Sequence, residues 1–109
     1  MRIDTLYACP MELQTLPDIE LAKKKILIVD DEWAILELLK FKLARLGYAV
    51  ITAGTEKEFW KRAFAEKPDL VILDIWLKNK LGTDIYENML QFGFNPKTPV
   101  IFISALIIA

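Results

Sequence analysis

Four apolar residues, Leu70-Val71-Ile72-Leu73, stand between two aspartates, Asp69 and Asp74, and Ile75-Trp76-Leu77 follows directly. An uninterrupted Leu/Val/Ile run of this length, with no polar alternation, fits a central strand of a parallel sheet covered by helices on both faces. Ligands of open parallel sheets bind just beyond the carboxyl ends of such strands. Asp74 occupies that end and is the first candidate functional residue.

The rest of the chain supplies neighbours for that strand. Lys25-Ile26-Leu27-Ile28-Val29 reads as a strand ending in Asp30-Asp31-Glu32. A helix over Glu32 to Leu46 follows, with Leu36, Leu39, Leu43 and Leu46 on one stripe, Asp31 as its expected N-cap and Gly47 as its stop. Tyr48 to Thr52 is a second strand. Thr55-Glu56-Lys57-Glu58 has the pattern of a capping box and opens a helix carrying Phe59, Trp60, Ala63 and Phe64, which Lys67-Pro68 ends. After Asp74, a loop with Lys78, Asn79, Lys80 and Gly82 leads to a helix over Asp84 to Phe92. A turn cluster, Asn95 to Pro99, precedes a fourth strand, Val100 to Ile103, which ends at Ser104. Strands alternating with helices predict right-handed βαβ units, hence a doubly wound parallel α/β sheet. Residues 1–22, interrupted by Pro10 and Pro17, read as an N-terminal extension, with a short strand conceivable over Ile3 to Ala8.

Composition removes several kinds of chemistry. The 109 residues suit one domain, and 54% hydrophobic with 27% charged residues suits a globular fold. There is no histidine, and Cys9 is the single cysteine. Zinc-finger sites, intrachain disulfides and Ser-His or Cys-His catalysis are therefore excluded. The net charge of -1 gives no argument for nucleic acid, and Lys23-Lys24-Lys25 reads as a solvated strand entrance. The first 20 residues do not fit a secretory signal, and the apolar run from Pro99 to Ala109 is shorter than the ~20 residues a membrane helix needs. The expected setting is soluble and cytoplasmic, with no membrane partner.

Asp30 and Asp31 after the first strand, Asp74 after the third and Ser104 after the fourth would share one rim. Each has an ordinary structural explanation as a cap or turn residue. Clustered carboxylates repel one another, and a bound cation resolves this. Oxygen-only ligands in an incomplete set suit Mg²⁺. A metal beside Asp74 would also offset the charge of an incoming phosphoryl group, which makes Asp74 a candidate phosphoryl acceptor.

Three ordered segments carry a resemblance: Ile26 to Glu32, Asp69 to Leu77 followed by Gly82, and Thr98 to Ala105. Over residues 23 to 105 the chain resembles the receiver domain of two-component response regulators. The resemblance implies a flavodoxin-like (CheY-like) sheet of strand order 2-1-3-4 and phosphorylation of Asp74. It implies a Mg²⁺ site of Asp30, Asp31, Asp74 and the backbone carbonyl of Trp76, with Ser104 as the hydroxyl contacting the phosphoryl group. The donor would be a sensor histidine kinase or phosphotransfer protein, and the chain a signalling module, not an enzyme. Lys78 replaces the family's usual proline, and Leu81 its usual Asp or Asn before the glycine.

The family pattern continues past this chain's last residue with a fourth helix, a fifth strand bearing a lysine that pairs with the phosphoryl group, and a fifth helix. Residues 23–109 are accordingly expected to be a truncated receiver domain with impaired phosphorylation. Lys23 to Lys25 lie at the wrong end of the first strand to replace that lysine; Lys78 and Lys80 are weighed as substitutes against the commoner reading as solvated loop residues. The fourth strand would form an apolar edge prone to self-association. An alternative function is a phosphorylation-independent interaction module using that edge. A third, a phosphohydrolase, is disfavoured because Trp76 stands where such enzymes carry a second aspartate.

Overall fold

In a computed structural model, which describes residues 23–104, the elements run β1 (Lys25–Val29), α1 (Trp33–Arg45), β2 (Ala49–Ala53), α2 (Glu56–Glu66), β3 (Leu70–Asp74), β4 (Trp76–Leu77), β5 (Lys80–Leu81), α3 (Gly82–Gln91) and β6 (Val100–Ile103). The expected extension, its conceivable strand and residues 105–109 lie outside the described residues. Among the described residues, no helix is long and apolar enough to cross a membrane.

The main sheet is parallel throughout, in the order β2-β1-β3-β6. This is the expected 2-1-3-4 order, with β6 the fourth strand of the sheet. The difference is local: the stretch after Asp74, expected as a loop, contains the two-stranded antiparallel hairpin β4-β5. Lys78 turns that hairpin in the left-handed region, φ 60°.

Because the central strands are apolar on both sides, each supplies two cores. Leu27 and Val29 of β1 and Val71 and Leu73 of β3 pack with Phe59 and Ala63 of α2 and Ile85 and Met89 of α3. Ile26 and Ile28 pack with Leu36, Leu39 and Leu43 of α1, joined by Leu70 and Ile72. Fully burying one such side chain contributes about 1.5–3 kcal/mol.

Helix ends follow local chemistry, with two corrections. The Thr55 hydroxyl accepts from the Glu58 amide at 3.1 Å, and the Glu58 carboxylate accepts from the Gly54 amide at 2.8 Å. Gly47 ends α1 with φ 103°, as expected of a residue just past a helix. Asp31, however, is not the cap of α1. Glu32 holds that position without a side-chain cap bond, because Asp30 is the residue whose carboxylate takes the Glu32 amide, at 2.8 Å. Leu46 also leaves the predicted stripe: it is the C-cap of α1 and is 73% exposed, since the stripe's geometry stops with the helix.

Candidate functional site

The parallel register brings the carboxyl ends of β1, β3 and β6 to one rim. Val29 pairs with Leu73, and Asp74 pairs with Ile103, so Asp30, Asp74 and Ser104 follow on adjacent strands. Oxygens of Asp30, Asp31 and Asp74 lie within 4.8 Å of one another. Asp30 and Asp74 are buried, whereas Asp31 is exposed. Asp30 follows directly on β1 and is tied to the Glu32 amide, while Asp31 lies in the bend that leads into α1, so the two neighbours meet different surroundings. Ser104 is half-buried directly after Ile103, whose carbonyl accepts from the Ile75 amide at 2.8 Å.

Each buried carboxylate is held by the backbone two residues on. Asp30 accepts from the Glu32 amide, and Asp74 Oδ1 accepts from the Trp76 amide at 3.2 Å. These bonds stabilise the ionised forms but do not offset burial. Burial pushes the Asp30 carboxyl up from its ordinary 3.8 to about 6, opposed by the Glu32 amide and reinforced by the charges of Asp74, Asp31 and Glu32. Burial likewise raises Asp74, against the Trp76 amide and with the charges of Asp31 and Glu32 adding to it. Among the described residues, no ion pair joins a lysine or arginine to this cluster. Lys80, weighed as a substitute counter-charge, is engaged elsewhere, with its ammonium 2.8 Å from Glu56 Oε1.

Three convergent carboxylates without a nitrogen or sulfur ligand suit a small hard cation. The raised proton affinities point the same way: the cluster lacks positive charge, and a divalent ion would supply it. Trp76, expected to contribute a backbone carbonyl, begins β4 with its amide already on Asp74.

Gly82, visible in the sequence only as part of a motif, is where the segment after Asp74 comes closest to β3. Its amide donates to the Ile75 carbonyl at 2.6 Å, and a Cβ there would overlap the Asp74 carbonyl oxygen. The hairpin therefore folds back directly onto the backbone that carries Asp74. Leu81, the N-cap of α3, makes no side-chain cap bond, which is the local consequence of its replacing Asp or Asn. The Glu56–Lys80 pair had no sequence signal, because 24 residues separate the partners.

A doubly wound parallel sheet with clustered carboxylates at its carboxyl rim has the architecture of a CheY-like receiver domain. Comparison with known proteins agrees, and the chain belongs to the response regulator receiver domain family, whose model matches residues 26–107. It is 47% identical over 68 residues to the alkaline phosphatase synthesis transcriptional regulatory protein PhoP of Bacillus subtilis, covering 62% of this chain and 28% of that protein. The chain thus spans about a third or less of the length of such curated relatives. Among solved structures, a receiver domain protein (CheY-like) of Methanospirillum hungatei is similar, with TM-score 0.70, 34% identity and coverage of 76% of this chain and 65% of that one. The chemotaxis response regulator CheY4 of Vibrio cholerae is similar with TM-score 0.69 and 25% identity, over 74% and 68% of the two chains.

Proposed function

We propose that the chain is a cytoplasmic phosphoacceptor module in which Asp74 receives a phosphoryl group from a histidine of a sensor kinase or phosphotransfer protein. The observation that carries this reading is the convergence of Asp30, Asp31 and Asp74 within 4.8 Å at the carboxyl rim of a receiver fold. An Asp74 oxygen attacks phosphorus as the P–N bond breaks; the electron pair leaves with the donor nitrogen, and an acyl phosphate forms on Asp74. Asp30, Asp31, Asp74 and the Trp76 carbonyl would hold Mg²⁺, which when bound offsets the charge of the carboxylates and of the phosphoryl oxygens. The Trp76 amide keeps Asp74 Oδ1 fixed, leaving its other oxygen as the nucleophile. Ser104, adjacent in register, would donate its hydroxyl to a phosphoryl oxygen.

Incubation with acetyl phosphate and Mg²⁺, followed by intact-mass analysis, tests the reading. The expected result is addition of one phosphoryl group, abolished by Asp74→Asn or by chelation. Absence of any adduct on the wild-type chain would overturn the acceptor role.

A second reading, association of two copies through β6, is favoured by Ile101 and Phe102, 49% and 37% exposed on a strand that pairs only with β3 among the described residues. Light scattering that reports a monomer at every concentration would remove it.

A further inference from the structure

The amino end of the sheet, opposite the carboxylate rim, carries a cleft. One wall is the carboxyl end of α2 with the turn into β3, the other is the turn from α3 into β6, and the space between them is about 530 Å³. Volumes of this size hold small organic ligands. The apolar part of the lining is an aromatic corner. Phe94 is buried, Phe64 is 37% exposed, and their rings meet edge to face with centroids 5.8 Å apart. Phe64 also stacks on Trp60, again at 5.8 Å, which holds its ring in place.

The polar lining is divided between the two walls. In the turn before β6, Asn95 Oδ1 accepts from the Lys97 amide at 2.9 Å and the Asn95 carbonyl accepts from the Thr98 amide at 3.2 Å, so the backbone there is braced. The Asn95 amide nitrogen, the Thr98 hydroxyl and the Lys97 ammonium have no partner among the described residues. This wall therefore offers donors and a positive charge. On the other wall, Asp69 has one oxygen engaged by the Lys25 amide, and α2 presents the negative end of its dipole. Lys67, the C-cap of α2, stands at that end and offsets it.

We infer that this cleft binds a small aromatic monocarboxylate, with its ring against Phe64 and Phe94 and its carboxylate towards Lys97, Asn95 and Thr98. A second negative charge on the ligand would meet Asp69, and a neutral arene would gain nothing from Lys97. The aromatic corner supplies the apolar contact and the turn fixes the orientation.

Titration of the full chain with phenylpropionate, followed by amide NMR spectra, tests the inference. Saturable shifts are expected at the Gly93, Phe94, Asn95 and Thr98 amides, with a Kd of about 1 mM or below. Propionate, which lacks the ring, should bind at least about tenfold more weakly. Phenylpropanamide, which lacks the charge, should bind about fivefold more weakly, and Lys97→Glu, at an exposed position, should weaken phenylpropionate about tenfold. No saturable shift at these amides up to about 10 mM ligand would overturn the inference. Equal affinities of the carboxylate and its neutral amide for the unaltered chain would overturn it as well, without recourse to a variant.

Discussion

β3 begins and ends beside aspartates five residues apart, and the two have opposite fates. Asp69 is exposed and accepts from the Lys25 amide at 2.7 Å, tying the start of β1 to the start of β3. The Lys25 ammonium stands 3.3 Å from Glu66 at that same end of the sheet. Asp74 is buried, faces two other carboxylates and is pushed above its ordinary pKa. The amino end of the strand thus gives its acids donors, while the carboxyl end gathers acids without a cation. A parallel sheet creates this asymmetry because all its strands deliver the same end to the same rim. Asp69 ties two strands together, whereas Asp74 is buried among like charges.

Four expected outcomes probe that contrast. The largest is for Gly82→Ala. The added methyl group overlaps the Asp74 carbonyl and crowds Leu73, and we expect a loss of about 3 kcal/mol by denaturant unfolding, with cation binding weakened as Asp74 shifts. A stable Gly82→Ala chain with unchanged binding would show that the hairpin's close approach is unimportant to the rim.

Asp30→Asn keeps an oxygen for the Glu32 amide while deleting a buried charge. In chelator near neutral pH, we expect it to stabilise the fold by about 2 kcal/mol while cutting divalent-cation affinity at least about tenfold. Chemical unfolding and calorimetric titration read the two effects. A destabilised Asp30→Asn chain would contradict the account of the rim as uncompensated.

The third outcome is a pH dependence. Asp30 holds its proton more tightly folded, at about 6, than at its ordinary 3.8, so its stabilising contribution is complete below the lower value and is lost as pH rises through the higher one. The stability advantage of Asp30→Asn should therefore vanish near pH 4 and grow until about pH 7, and cation binding to the wild-type chain should weaken as pH falls below about 6. An advantage that does not vary with pH would remove Asp30 as the titrating group.

The smallest effect belongs to the other end of the strand. Asp69→Ala removes one exposed acceptor and should lose about 1 kcal/mol with no change in cation binding. A comparable loss of binding would mean that the two ends are coupled rather than separate.

Much of the framework was legible in the residues. The bounds expected for β1 and β6 are those observed, because β-branched apolar runs between charged or proline-rich turns have few other uses. Thr55 capped α2 as its spacing from Glu58 predicts. The three rim aspartates were identified from their positions at strand ends, and the fold brings them together. Less legible was the hairpin after Asp74. Two-residue strands have too few side chains to show a period, and Lys78 adopts positive φ without the glycine that usually signals it.

By itself, the sequence determined that this would be a parallel α/β chain with acids at its strand ends. Order and type of elements follow from local patterns of apolar residues, which each segment carries alone. Tertiary structure decided which aspartate is buried and which exposed, and that Glu32 rather than Asp31 caps α1. It also decided which side of each apolar strand meets α1 and which meets α2 and α3. Those choices depend on what stands opposite. A strand apolar on both faces carries no mark of which face is which, and two adjacent aspartates differ only once the turn from β1 into α1 buries Asp30 and leaves Asp31 exposed.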